Sequence, residues 1–312
     1  MSVEPAILSP TQPVALQPRS GVWSRLLRNP GVLIGGFIIL VMVAIGVAAP
    51  VLGTIGPSEI NPTFRNRVPG VERTIRADDG SQRQFTHWMG TDSLGRDIYS
   101  RVLYGARVSI LVGITVAVIS IAVGLVIGLV AGYVRWVDGL VMRLMDGLMA
   151  IPAILLAIAL VSLFRAGLAS VIVAIVVPEI PRVVRLVRSI VLSVREEPYV
   201  EAAIMAGTPT PLLLIRHVLP NTVAPLIVQG TFICANAILI EAILSFLGVG
   251  IPPETPTWGN IMAEGRAYFQ IKPSLIFWPG LLLSIAILSV NLIGDAARDA
   301  LDPRMKQREG GK

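Results

Sequence analysis

The stretch VSILVGITVAVISIAVGLVIGLVAGYV, residues 108–134, contains no charged side chain over 27 consecutive positions. At a rise of about 1.5 Å per residue, a helix of this length spans about 40 Å, which exceeds the roughly 30 Å hydrocarbon core of a bilayer. A single apolar segment in lipid must satisfy its own backbone hydrogen bonds, and the α-helix does this. The stretch therefore predicts a membrane-spanning helix.

Further uncharged windows lie on both sides of this stretch. A weaker window at residues 166–188 is interrupted by Glu179 and Pro181, but a tilted helix tolerates one acid that faces a neighbouring helix. Hydrophobic residues make up 54% of the chain and charged residues 15%, which is typical of membrane proteins. The sequence therefore predicts an all-α membrane protein with six transmembrane helices. The four other windows are residues 31–53, 147–164, 218–240 and 273–294.

Basic residues predict how the chain is oriented. Of the 26 Lys and Arg residues, fifteen fall in segments that are cytoplasmic if the N-terminus is inside, and eight of the other eleven occupy one long loop. Cytoplasmic loops carry an excess of Lys and Arg, and long translocated loops obey this rule weakly. We therefore expect both termini in the cytoplasm and lipid around the helices. The basic residues are dispersed without aromatic residues between them, so we expect no nucleic-acid partner.

The windows divide the chain into five predicted segments. A proline-rich arm precedes the first helix, and one long loop separates that helix from a region where the other spans follow in quick succession. The segments are a cytoplasmic arm at 1–30, transmembrane helix 1 at 31–53, an extracytoplasmic loop with an interfacial helix at 54–107, a core at 108–297 with a short cytoplasmic helix at 198–217, and a cytoplasmic tail at 298–312.

The long loop ends in GTDSLGRD, residues 90–97, which has the two glycines of a phosphate-binding loop. Arg96 stands where that motif needs Lys, and Asp97 where it needs Ser or Thr, so we expect no nucleotide there. No other part of the sequence matches the motif, and this chain is not expected to hydrolyse ATP. We interpret the preceding QRQFTHWM as something other than a buried strand.

A turn and an interfacial helix are the expected structure after this motif. In such a helix, apolar side chains face the membrane and charged side chains remain in water. The apolar set is Ile98, Val102 and Leu103, and the charged set is Arg96, Asp97 and Arg101.

Residues 201–221, EAAIMAGTPTPLLLIRHVLPN, predict two short helices at an elbow. Pro198 suits a first helical position and Gly207 a left-handed stop, whereas Pro211 can start a second helix that ends near Leu219 and Pro220. The first helix has a face of small and apolar residues at helical spacing, which suits a helix that lies in a groove. An amphipathic linker on the lipid surface is the alternative. The face consists of Val200, Ala203, Ile204 and Gly207.

The elbow resembles the EAA signature of permease subunits of bacterial binding-protein-dependent ABC importers. The resemblance rests on Glu201, Ala202, Ala203 and Gly207, followed by Leu219 and Pro220. His217 departs from the usual motif, which has a branched apolar residue at that position. Further segments resemble the C-type subunit of the dipeptide, oligopeptide and nickel branch, namely GTDSLGRD at 90–97, EAILSFLGVG at 241–250, PPETPTWG at 252–259 and GDAARDALDPR at 294–304.

This resemblance implies a type I ABC importer permease, with one N-terminal helix before a five-helix core in a bacterial inner membrane. The elbow would be the coupling helix, which docks in a groove of the ATPase. A homologous B-type permease, two ABC ATPase subunits that hold ATP and Mg, and an extracytoplasmic solute-binding protein would be the partners. The cargo stays open among dipeptides, oligopeptides, glutathione-like solutes and nickel chelates, and we expect no cofactor on this chain itself.

Two acidic residues lie within or at the end of predicted spans, Glu179 and Glu241. They are candidates for the pathway or its gate, because ionisable residues inside membrane segments are often functional. They could instead pair with neighbouring groups, or carry protons in a secondary transporter, which is the rival function. An intramembrane enzyme is disfavoured because neither His87 nor His217 is placed to pair with Cys234. The charged residues after the last span are expected to anchor a helix end rather than bind metal; they are Asp295, Arg298, Asp299 and Asp302.

Overall fold

The computed structural model describes residues 28–76 and 82–301, so most of the predicted arm and Asp302 lie outside the described residues. Within these ranges the chain is mostly helical, and a two-stranded antiparallel hairpin in the outer loop departs from the all-α prediction. The helices are α1 (Pro30–Ala48), α2 (Ile98–Tyr133), α3 (Arg135–Ala150), α4 (Ala153–Leu163), α5 (Leu168–Arg195), α6 (Pro198–Met205), α7 (Thr210–Leu213), α8 (Leu219–Phe246), α9 (Trp258–Gly265) and α10 (Ser274–Leu301), and the strands are β1 (Val71–Arg76) and β2 (Gln82–His87).

Four helical segments of the described residues are long and apolar enough to cross a membrane. A fifth candidate arises if α3 and α4 together form one span, although they meet at an angle of 93°. The window at 147–164 was predicted as a continuous helix, but Ile151 and Pro152 adopt extended backbone and end α3. Proline cannot donate the backbone hydrogen bond that would continue the helix. The four segments are Pro30–Val51, Ile98–Tyr133, Thr210–Phe246 and Ser274–Leu301.

Helix α2 packs against α5 through a row of glycines, one every four residues. The Cβ that an alanine would carry at Gly124, Gly128 or Gly132 would lie 2.5–2.7 Å from a valine Cβ of α5. Membrane helices associate through such small residues because the backbones can then approach closely. The facing residues on α5 are Val183, Val187 and Val191, all fully buried.

The remaining long helices pack around this pair. α8 lies against α2, where Gly113 receives the side chain of Ile238, and it also packs on α10, where Gly294 is close to Thr231. α1 packs on α10, and the backbone of Ser289 approaches Gly35. The N-terminal helix is therefore attached to the outside of a helical core built from α2, α5, α8 and α10.

The loop before α2 contains the β1–β2 hairpin and a set of buried charges. QRQFTHWM was predicted not to be a buried strand, yet residues 82–87 form β2, in which Phe85 and His87 are buried. His87 Nδ1 lies 2.8 Å from Asp97 Oδ1, and Asp97 Oδ2 accepts hydrogen bonds from the backbone N and the hydroxyl of Ser100. Asp97 is thus the N-cap of α2 and connects that helix to the hairpin.

The interfacial helix predicted after GTDSLGRD is instead the first part of α2, and its assigned faces are wrong. Ile98 and Val102 are buried against α9 and α10 rather than facing lipid, and Leu103 is also buried. The charged set predicted to remain in water is also buried: Arg96, Asp97 and Arg101 are each at most 5% exposed.

Ion pairs with distant residues explain this burial. Arg96 Nε donates to Asp92 Oδ2 at 2.7 Å, and Arg101 Nη1 reaches the same oxygen at 2.5 Å. Both arginines also contact Glu264 of α9. Burial alone would raise the pKa of the Asp92 carboxyl, but the charges of Arg101 and Arg96 and two backbone N–H groups outweigh it, and the pKa is lowered.

Candidate functional site

The first limb of the elbow is α6, a short helix with defined ends. Pro198 occupies its first turn, and Glu201 lies in the same turn near the positive end of the helix dipole. Gly207 ends the helix with φ at +79°, and the backbone N–H of Thr208 donates to the carbonyl of Ala203. This 6→1 bond is the Schellman arrangement. The predicted left-handed stop is therefore confirmed.

The face predicted for a groove is divided in the structure. Val200 is fully buried and Ala203 packs against the same cluster as Val200, so these two residues hold α6 to its own chain. Glu201, Ala202 and Gly207 are exposed, and the space around a Cβ at Gly207 is empty within 4 Å. A partner can therefore reach the outer side of α6 only through this second set and its neighbours, among which Met205 is 88% exposed.

The second limb does not end near Leu219 and Pro220, as the sequence predicted, but continues into the membrane. After α7 the backbone forms a π-helical segment at Leu214–Val218 and passes directly into α8. The backbone N–H of Leu219 donates to the carbonyl of Leu214, five residues earlier, and Pro220 needs no donor partner in the first turn of α8. The second limb of the elbow and the span are thus one helical segment, Thr210–Phe246.

Three side chains join the two limbs. The ring of Tyr199 on α6 stacks on His217 with centroids 6.4 Å apart. Asn221 Nδ2 donates to the Tyr199 hydroxyl at 3.1 Å and to the carbonyl of His217 at 2.7 Å. His217, which departs from the usual motif, therefore has a packing role here. The joint therefore connects α6 to the start of α8.

The two candidate pathway acids are fully buried in helix contacts. Glu241 on α8 accepts hydrogen bonds from Ser245 at 2.8 Å and from Ser109 on α2 at 3.3 Å. Glu179 on α5 accepts from Asn236 of α8 at 2.6 Å and pairs with Arg182 at 3.2 Å. Glu241 is thus enclosed between α2 and α8, whereas Glu179 pairs with the guanidinium of Arg182, which is half-exposed.

The charged residues near the C-terminus lie on α10. Asp295, Arg298 and Asp299 are all part of this helix, which ends at Leu301. Among the described residues, no group of three or more His, Cys, Asp or Glu side chains could hold a metal ion. The joint at Tyr199 and a set of Arg–carboxylate pairs between α3 and α5 were not predicted, since each depends on residues far apart in sequence.

Comparison with known proteins identifies the family. Residues 124–307 match the family described as "Binding-protein-dependent transport system inner membrane component", which covers more than half of the chain. The chain belongs to this family. Residues 17–69 match a second description, "N-terminal TM domain of oligopeptide transport permease C". The permease core and the N-terminal helix are thus recognised separately.

Curated permeases are similar over most of the chain. A probable peptide ABC transporter permease of Sinorhizobium fredii is 49% identical over 90% of this chain and 91% of that protein. The dipeptide permease DppC of Alkalihalophilus pseudofirmus is 38% identical over 95% and 93%. The glutathione permease GsiD of Escherichia coli is 44% identical over 70% and 73%.

The fold also matches a solved transporter. An inward-facing structure of the MetNI methionine ABC transporter aligns with a TM-score of 0.53 and 18% identity, over 65% of this chain and 97% of that one. At this identity the likeness shows the fold alone, which is that of an ABC importer permease. The permease is a multi-pass inner-membrane component and not itself an ATPase. Membership of a binding-protein-dependent system implies ATPase and binding-protein partners.

Proposed function

We propose that this permease forms half of the translocation pathway of an ATP-driven importer of peptides. The names of its relatives support this cargo, since they include peptide, dipeptide, di/tripeptide and glutathione transport permeases. A homologous B-type permease supplies the other half, and an extracytoplasmic solute-binding protein delivers the peptide. Two ATPase subunits hold ATP and Mg.

The proposed topology has six spans and both termini in the cytoplasm. Four long helices and the bent α3–α4 pair give five candidate spans, and α5 is the sixth. α5 has 28 residues, enough for about 42 Å, although its basic residues lower its hydropathy. The segments at 1–30, 31–53, 54–107, 108–297 and 298–312 then serve as arm, first span, outer loop, core and tail.

Coupling to ATP is the proposed role of α6. Two observations support it: α6 is an exposed helix with a defined end, and the second limb of the elbow is continuous with α8. In this proposal the ATPase groove contacts Glu201, Ala202 and Gly207, while Ala203 anchors α6 to the core. Leu219 and Pro220 begin α8 and direct motion into it. A rigid-body displacement of this kind gates a pathway without breaking a covalent bond.

Cross-linking tests this coupling contact. With Cys234→Ala as background, Met205→Cys is expected to cross-link to the ATPase in the assembled complex, and the yield should change with ATP. Val68→Cys in the outer loop, at a residue that is 62% exposed, is the matched control and should not react with the ATPase. No cross-link from Met205→Cys in an active complex would refute the docking.

Energy coupling separates the proposal from a proton-coupled carrier that uses Glu179 and Glu241. Uptake into vesicles should survive an uncoupler and stop without ATP. Uptake that an uncoupler abolishes while ATP is present would instead support the proton carrier.

A further inference from the structure

Three arginines of α5 pair with carboxylates along one side of the helix. Arg182 pairs with Glu179 of the same helix at 3.2 Å, and Arg185 Nη2 donates to Asp146 of α3 at 2.5 Å. Two turns beyond Arg182, Arg188 forms a two-point contact with Asp138 of α3, in which Nη2 donates at 2.7 Å. The basic residues are spaced three apart, so successive members are neighbours on the surface of α5, and the row winds by about 120° around the helix.

This row of charges is partly exposed and occupies the second half of α5, which leads to the elbow. The side chains of Arg182, Arg185 and Arg188 are 46%, 44% and 30% exposed. Arg182 lies about halfway along α5, which runs from Leu168 to Arg195. Charges exposed to hydrocarbon at such depth are costly, and ionisable residues there normally face a water-filled cavity or a bundle interior. The exposed side of Arg182 is therefore suited to an aqueous pathway or to a neighbouring helix, and not to hydrocarbon.

Arg182 and Arg185 both leave most of their donors unused, and of these two Arg182 also lines a cavity. Only Nη1 contacts Glu179, at 3.2 and 3.3 Å, and within the part of the chain that the structure describes no group accepts from its Nε or Nη2. A guanidinium has five N–H donors and takes a carboxylate best through two parallel bonds. Its position is fixed, since Glu179 is fully buried and held by Asn236.

A cavity lies beside this guanidinium. Its volume is about 240 Å³, and its wall is formed by the bend between α3 and α4, together with Pro178 and Arg182 of α5. Typical small-molecule sites are about 300–1,000 Å³, so this space is suited to one end of a peptide rather than a whole one. Apart from Arg182, the lining residues are uncharged; they are Leu148, Met149, Ile151, Pro152, Ala153 and Pro178.

We propose that Arg182 binds the C-terminal carboxylate of a peptide during its passage through the permease. This inference rests on the proposed function, because it names a contact for the peptide in the pathway. Glu179 and Asn236 are positioning residues that hold the guanidinium at the cavity. The carboxylate accepts from Nε and Nη2, while Nη1 keeps its contact with Glu179. Since the existing pair is long and uses one nitrogen, the site binds a passing carboxylate without closing around it.

A comparison of two peptides in the reconstituted complex tests this contact. Uptake of trialanine and of trialanine amide is measured in proteoliposomes with the ATPase, the B-type permease and the binding protein, for wild type and for Arg182→Gln. Each variant uses the same binding protein, so that protein's own preference cancels when the two variants are compared. Loss of a two-point charged contact is expected to lower trialanine uptake about tenfold and to leave the amide nearly unchanged.

Two further variants make the result specific. Arg182→Lys keeps the charge beside Glu179 but loses the planar fork, so it should reduce trialanine uptake by a smaller factor. Arg135→Gln, at an exposed arginine outside the row, should change the uptake of neither peptide. If the complex with Arg182→Gln does not assemble, the uptake of the two peptides is compared between wild type and Arg182→Lys.

Equal losses for both peptides, or no loss for either, would overturn the inference. In both cases ATP-dependent uptake by wild type would still support the proposed function. Failure of the proposed function has a different result, because wild type would then take up neither peptide in an ATP-dependent manner.

Discussion

Replacement of Gly207 tests whether the elbow must keep its left-handed turn. Gly207 has φ at +79°, a conformation that costs an L-amino acid about 1–2 kcal/mol. A Cβ there would meet nothing within 4 Å, so a larger side chain adds backbone strain without a clash inside this chain. A penalty of 1–2 kcal/mol lowers the ratio of the native to the altered elbow by about 5–30-fold, which is the upper limit for the loss of uptake.

The assay is uptake of trialanine into proteoliposomes, with ATP hydrolysis measured in the same samples. We expect Gly207→Val to reduce uptake by up to about 5–30-fold while ATP hydrolysis continues, because the elbow no longer transmits motion. Gly207→Asn is the matched control, since Asn adopts the left-handed conformation more readily than a β-branched residue. Asn should therefore preserve most of the uptake.

Two results would refute this reasoning. Wild-type uptake by Gly207→Val would show that the turn is not needed for coupling. Equal losses in the Val and Asn variants would show that side-chain volume, and not backbone conformation, is the cause.

Three other predictions concern charge and packing. Glu201→Lys should allow insertion but uncouple ATP hydrolysis from uptake, and normal uptake would contradict the docking proposal. Gly128→Leu should lower the unfolding temperature of the detergent-solubilised complex, because overpacking costs about 1–3 kcal/mol or more, whereas Gly36→Leu, with nothing within 4 Å, should not. In the folded protein the pKa of Asp92 is below its unfolded value of about 3.9. The ionised carboxylate therefore stabilises the fold above a pH of about 3.9, and this stabilisation is lost as the pH falls through the folded pKa. Asp92→Asn should lower the free energy of unfolding by about 1–3 kcal/mol at neutral pH, because Arg96 and Arg101 are left with Glu264 as their charged partner, and an unchanged thermal midpoint would contradict this.

Local patterns predicted the helices and the cap of the elbow. The uncharged windows at 31–53 and 108–134 correspond to α1 and α2, and Gly207 stops α6 as its residue type suggested. These features depend on hydrophobic length and on backbone sterics, which neighbouring residues determine. The family that the sequence resembles was likewise confirmed by comparison with known permeases.

Long-range partners explain what the sequence did not predict. Arg101 was expected in water, and its partner Glu264 lies 163 residues further along the chain. Arg188 pairs with Asp138, 50 residues earlier, so no local spacing indicated the row of charges on α5. The hydropathy of a charge-free window does not indicate whether the helix axis bends within it, so the bend at Pro152 was not predicted. Pairing and bending therefore required the tertiary structure.

The continuous helix from Thr210 to Phe246 also limits how the two ends of the permease can move. It has 37 residues, which corresponds to a rod of about 55 Å. If such a rod tilts by about 10° around its centre, its ends travel about 5 Å in opposite directions. One end leaves the elbow and the other lies just beyond Glu241. A segment that tilts in this way would narrow the pathway at one end of the permease while widening it at the other, so the two ends would not open together.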